Sequence, residues 1–199
     1  RSISKNGSDY YFAQMTNLIE EILKSFEPKV LPKIIFISST SVYPDANQIE
    51  DETFEVEETS VLVKVENLYQ QSFEKIIILR FGGLMGYDRY PGKYYAGKPF
   101  ENWVSGVNYV HRDDAIKIIE KLILKKMQNG IFNVCSPIHP SRKEIITKNC
   151  NDLNIELPIF LNPAQPIPYK IISSMKLIEA IDYEFKYANP LDFFYQKEN

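Results

Sequence analysis

The chain has 199 residues, 44% of them hydrophobic, which is enough for one large domain or a domain with a small lobe around a packed core. Its formal net charge is only −3 and no basic stripe stands out, which argues against nucleic acid as the main partner. No apolar run approaches the ~20 residues of a membrane-spanning helix.

The opening stretch, Arg1-Ser2-Ile3-Ser4-Lys5-Asn6, has no apolar segment behind it and does not read as a signal peptide. A helix is expected after Asp9, a candidate cap, with Tyr11, Met15, Leu18, Ile19, Ile22, Leu23 and Phe26 at helical spacing and Pro28 as its stop. The short run Ile34-Ile35-Phe36-Ile37 has the length and β-branching of a strand buried on both faces, and Ile76-Ile77-Ile78-Leu79 repeats the pattern. Between them lie an acidic loop over residues 50–58, read as solvated, and a helix over residues 60–71. After Arg80 the chain turns glycine- and proline-rich. A short strand follows at residues 107–110, then a helix capped by Asp114 and ending near Asn129-Gly130. Ile131-Phe132-Asn133-Val134 is the next strand, and Ser141 with Glu144 has capping-box spacing for another helix. A proline-rich connection, residues 158–168, leads to a helix over residues 171–181 and an aromatic tail. The two cysteines, Cys135 and Cys150, lack metal-ligand spacing and read as reduced core thiols, so no metal site is expected and the compartment reads as cytoplasmic. Strand alternates with helix, and the strand runs are continuously apolar, which gives an α/β fold with a mostly parallel sheet and helices on both faces.

Four segments carry more than a fold class: Phe36-Ile37-Ser38-Ser39-Thr40-Ser41-Val42-Tyr43, Ile78-Leu79-Arg80-Phe81-Gly82-Gly83-Leu84-Met85-Gly86, Asn108-Tyr109-Val110-His111-Arg112-Asp113-Asp114-Ala115, and Gly130-Ile131-Phe132-Asn133-Val134 with Ser141 to Glu144. In this order and spacing they resemble the extended short-chain dehydrogenases/reductases, the NAD-dependent epimerase/dehydratase family, and within it the short epimerase-like members. The resemblance implies a Rossmann-like sheet, NAD or NADP as cofactor, and a small-molecule substrate such as a nucleotide sugar. It implies a substrate lobe built from residues of about 84–106 and 137–199. It also implies that the family's N-terminal βαβ half, with its Gly-rich pyrophosphate turn, is absent, roughly seventy residues by the usual size of the fold. The strand at Ile34 would then expose an edge that another strand or a second copy covers, so a homodimer is expected.

The same resemblance assigns residues. Ser39 stands where the family's catalytic hydroxyl stands, with Ser38 beside it. Arg80, Phe81, Gly82 and Gly83 form the strand end that passes under the nicotinamide, glycine allowing close approach; Arg80 could equally pair with a core carboxylate. Arg89, with Lys93 and Lys98, could hold a diphosphate or lie in a solvated loop, and Asn108 with His111 resembles a substrate-facing pair. The family's general acid is a tyrosine four residues before a helical lysine. Here the lysine is Lys64, a candidate ribose contact, and Ser60 stands in the tyrosine's place. A serine hydroxyl cannot replace a tuned phenol, and losing a general acid costs about 10²–10⁴ in rate. Either Tyr43 or His111 takes over, or the site binds cofactor as a sensor without the family's chemistry. A scaffold that binds no cofactor is the third reading.

Overall fold

The computed structural model describes residues 7–27 and 31–196; the opening stretch and Pro28 lie outside them. Three parallel strands form the central sheet: β1 (Ile34–Ser39), β3 (Ile76–Phe81) and β7 (Gly130–Val134), in the order β1-β3-β7. The remaining strands are short: β2 (Ile49–Glu50), β4 (Gly83–Met85), β5 (Pro99–Phe100), β6 (Tyr109–His111), β8 (Ile159–Phe160) and β9 (Ile171–Ile172). They pair in parallel as β2-β9, β4-β6 and β5-β8. The helices are α1 (Ser8–Ser25), α2 (Val61–Ser72), α3 (Gly92–Tyr95), α4 (Arg112–Leu124), α5 (Arg142–Asp152) and α6 (Met175–Ile181).

Side chains alternate across a strand, and the two faces of β3 show why its run is apolar throughout. Ile77 and Leu79 pack with Phe132 and Val134 against Ile118 and Leu122 of α4 and Leu177 and Ile181 of α6. Ile76 and Ile78 face the other way with Phe36, onto Ile19 of α1 and Val65, Tyr69 and Phe73 of α2. Phe36 stacks on Tyr69 with ring centroids 4.3 Å apart. The fold is therefore α/β and Rossmann-like, a parallel sheet covered by helices on both faces.

Several sequence expectations shift at their edges. α1 begins at Ser8 behind Gly7, with no side-chain cap, so Asp9 sits in its first turn and does not cap it. α4 stops at Leu124, five residues before Asn129; the Lys125 N–H closes the last turn on the Lys121 carbonyl. Its N-cap is His111, whose Nδ1 accepts from the Asp113 N–H. Asp114 lies one turn in, fully buried, and its carboxylate accepts from the Lys186 and Tyr187 N–H groups and the Tyr183 hydroxyl, tying the tail to the helix. Residues 171–172 form β9, not helix; α6 starts at Met175. The Ser141–Glu144 capping box forms in full. Glu50, read as solvated, is buried in β2, where Ile49 and Glu50 pair with Ile171 and Ile172.

Candidate active site at the carboxyl rim of the sheet

In an open parallel sheet, ligands lie outside the carboxyl ends of the strands. The register places Ser39 at the end of β1 opposite Phe81 at the end of β3, so Ser39 and Gly82 share one rim. β4 continues β3 and pairs with β6, with Gly83 opposite Tyr109 and Met85 opposite His111. The rim opens on two grooves. The first, about 710 Å³, is walled by Ser41, Tyr43, Phe54 and Ser60, with Glu55, Glu57 and Glu58 at its mouth. The second, about 200 Å³, is walled by Asp45, Gly83, Asn108, Tyr109, Arg142 and Lys170. The segment from Tyr43 to Asp45 divides them. The Lys170 ammonium holds that partition, donating to the Tyr43 carbonyl at 2.6 Å and lying 3.3 Å from the Asp45 carboxylate.

Ser39 turns the chain out of β1. Its Oγ accepts from the Ser41 N–H at 3.1 Å and sits 3.0 Å from the Ser41 hydroxyl, capping the short helical turn Thr40–Val42. Ser41 is exposed in the first groove, so the hydroxyl pair meets solvent there. Behind it runs a buried polar network. Glu66 of α2 receives Arg80 Nη2 at 2.6 Å, Arg80 Nε at 3.1 and 3.2 Å, and the Ser38 hydroxyl at 2.5 Å. Arg80 Nη1 donates to the Tyr43 hydroxyl at 2.8 Å, which donates to Asn133 Oδ1 at 2.9 Å. Asn133 in turn donates to the Ser173 carbonyl, and its N–H to Glu52.

This network corrects several assignments. Ser38 and Arg80 are buried and spend their side chains on Glu66; Arg80, 4% exposed, takes the core-carboxylate role. Phe81 packs into the cluster under α4 and α6. Tyr43 lines the first groove with its ring, but its hydroxyl is spent between Arg80 and Asn133. Burial pushes its pKa up despite the neighbouring guanidinium, the opposite of what a general acid needs. Lys64 projects from the exposed side of α2 into a different hollow, beside Ser8, Asp9 and Thr59 of the α1 side. His111 is fully buried, its ring 4.0 Å from Tyr187, 5.2 Å from Phe193 and 5.5 Å from Tyr87 between centroids. Burial lowers its pKa against the pull of Asp113, and its ring lies within this aromatic cage.

The glycines answer to packing. A Cβ on Gly82 would stand 2.2 Å from the Asn108 carbonyl oxygen, and one on Gly83 would stand 2.6 Å from the Tyr109 ring. Close approach is real at both positions, but the approaching group is the protein's own. Asn108 is a splice: its Nδ2 donates to the Lys170 carbonyl and its Oδ1 accepts from the Ile172 N–H. Arg89 is exposed on a turn bridged to Gly86 and does not line either groove. Lys93 donates to the Asp88 carbonyl and Lys98 to the Tyr94 carbonyl, so both brace their own loop. Sequence reasoning missed Ser41, Ser60, Tyr109, Arg142 and Lys170 as groove residues. Ser41 could have been found, since it follows the candidate hydroxyl by one turn; Arg142 and Lys170 lie far along the chain and only the fold brings them to the rim.

No protein-family model matches the chain. Protein YeeZ of Escherichia coli strain K12 is 33% identical over 190 residues, covering 93% of this chain and 68% of that protein. Among solved structures, human epimerase family protein SDR39U1 with NADPH superposes at a TM-score of 0.71 and 12% identity over 96% of this chain and 72% of its own. The dTDP-glucose 4,6-dehydratase of Bacillus anthracis in complex with NAD gives 0.71 at 15% identity over 94% and 67%. The UDP-glucose 4-epimerase of Thermus thermophilus with NAD gives 0.66 at 17% identity over 88% and 65%. Among the described residues no helix is long and apolar enough to cross a membrane. With one third of its residues identical to a relative it spans for two thirds of the length, and with the epimerase/dehydratase fold, the chain belongs to the family of Protein YeeZ.

Proposed function

We propose that the protein binds NAD or NADP with the nicotinamide end in the first groove, and that it is an epimerase/dehydratase-type oxidoreductase acting on a nucleotide sugar or related alcohol from the second. One observation carries the reading: the Ser39–Phe81 register sets a hydroxyl-bearing strand end and the Gly82-Gly83 step on one rim, where α/β folds take their ligands. The groove suits a nicotinamide and its ribose, with the Ser41 and Ser60 hydroxyls and the Tyr43 and Phe54 rings on its walls. Its mouth, with Glu55, Glu57 and Glu58, repels a pyrophosphate, so only the uncharged or cationic end of the dinucleotide fits there. Bound cofactor would supply the hydride chemistry. Ser39 and Ser41 would orient a substrate hydroxyl or carbonyl, and the segments at 84–106 and 137–199 would supply the substrate lobe. On this reading the protein is cytoplasmic, and the edge of β1 is covered by further strands or by a second copy.

A second reading has its own support. Ser60 stands in place of the family's phenol and the Tyr43 hydroxyl is locked in the core, which favours a dinucleotide-binding sensor without turnover. Melting-temperature shifts with NAD(H) and NADP(H), followed by turnover assays on UDP-glucose and dTDP-glucose, separate the two. Shift with turnover supports the enzyme, shift without turnover the sensor, and no shift with either cofactor defeats both in favour of a scaffold.

A further inference from the structure

Of the two cations lining the second groove, one is spoken for and one is not. Lys170 is held by the Tyr43 carbonyl and the Asp45 carboxylate. Arg142, in the first turn of α5, has no carboxylate within ion-pair distance among the described residues, and its Nε is buried without a hydrogen-bond partner. A guanidinium presents a planar fork that matches an oxyanion with two parallel bonds, and leaving such a donor buried and unused is costly. The groove around it holds no free carboxylate to fill that role, since Asp45 already faces Lys170.

Next to this groove lies a larger hollow of about 400 Å³ with a different chemistry. Val104, Pro163, Pro166 and Ile167 form its wall, and Asn102, Ser105, Gly106 and Tyr169 line both it and the groove, so the two adjoin. The wall offers mainly carbon to a ligand, and Glu101 beside it opposes a second anion. The proline-rich connection fixes Pro163 and Pro166 with restricted backbone freedom, which keeps the hollow formed without a ligand.

Resting on the reading of the rim as the reactive crevice, we propose that the substrate is an amphipathic oxyanion. Its phosphate or carboxylate is held by the Arg142 guanidinium, and its apolar body, the size of a ring or short chain, lies against Val104, Pro163, Pro166 and Ile167. The apolar wall discriminates against a bare sugar, whose hydroxyls would lose their water there without replacement.

The test uses the protein's one tryptophan. Trp103 stands in sequence between Asn102 and Val104, which line the hollow, while its own ring lies beside Phe160; its fluorescence is therefore read alongside isothermal titration calorimetry, which measures binding directly. Phenyl phosphate and phenylacetate are titrated against inorganic phosphate, acetate and UDP. At least one aryl anion should bind ten-fold or more tightly than its inorganic or methyl counterpart. Arg142→Gln should weaken that binding by roughly ten- to hundred-fold, as loss of a charged hydrogen-bonding fork does, and the uncharged Ile167→Asn should remove the aryl advantage while leaving phosphate binding in place. If Arg142→Gln does not fold, Arg142→Lys, which keeps the charge and loses the fork, should weaken binding by a smaller factor. The proposal is overturned if neither aryl anion saturates the signal, if the Arg142 variants bind as the parent does, or if UDP binds and Arg142→Gln leaves that binding unchanged. The titration needs no nicotinamide cofactor, so its failure leaves the cofactor reading standing, and the melting-shift assay fails or succeeds independently.

Discussion

Removing the Glu66 carboxylate should unfold this protein at a markedly lower temperature while removing almost no apolar surface. Glu66 and Arg80 are 2% and 4% exposed at their side chains, and four hydrogen bonds converge on the carboxylate, three from the guanidinium and one from Ser38. Glu66→Ala would leave the guanidinium buried with only the Tyr43 hydroxyl beside it. Deleting one partner of a buried pair costs about 3–5 kcal/mol, mostly the penalty of the uncompensated charge. For a chain of this size each kcal/mol moves the midpoint by about 2–4 °C, so a drop of roughly 6–20 °C is expected. The double variant Glu66→Leu/Arg80→Met should recover much of the loss, because no charge is then stranded. It should not recover all of it, since Ser38 and Tyr43 lose their partners. Urea and thermal denaturation of the parent, both singles and the double make the cycle. A Glu66→Ala loss below about 1 kcal/mol would refute the assignment of this pair as the anchor of the rim.

Other consequences follow from the same geometry. Gly82→Ala should destabilise by about 1–3 kcal/mol in denaturant melts, because the added methyl meets the Asn108 backbone carbonyl at 2.2 Å; Gly83→Ala should cost less, since the Tyr109 ring can turn aside. Both histidines are held below their ordinary pKa, His111 and His139 alike by burial first, so the folded state resists protonating them. Their contribution is complete above the unfolded value near 6.5 and is lost as pH falls below it, so the melting temperature should decline between pH 7 and 5. A flat or rising profile would contradict this, and His139→Asn should remove part of the slope.

The elements were legible where local chemistry decides them. The run at Ile76 is apolar at every position because both faces of β3 are covered, and the Ser141–Glu144 box is a contact three residues long; the run at Ile34, read as buried on both faces, lies at the sheet edge and leaves Ile37 45% exposed. The errors fall where a distant segment competes. Asp114 has the look of a cap, yet the tail at Lys186 and Tyr187 claims its carboxylate from more than seventy residues away, a length read directly from the numbering. Arg80 and Ser38 read as rim residues by resemblance, but strand alternation turns both inward to Glu66, while Ser39 faces the rim. Gly82 and Gly83 carry a true requirement for glycine whose cause is Asn108, just before β6, and Tyr109, its first residue. The second groove was invisible in sequence because Lys170 reaches it through the pairing β2-β9, and Arg142 through its N–H on the Ser105 carbonyl and the Gly106–Ser141 bridge.

The central claim is that the hydroxyl-bearing rim receives the nicotinamide. Backbone amide chemical-shift mapping with NADH and NADPH tests it most directly. The largest shifts should cluster on residues 39–43 and 54–58, with little change in the hollow beside Lys64. Shifts confined to the Lys64 side of α2, or none at saturating cofactor, would contradict it.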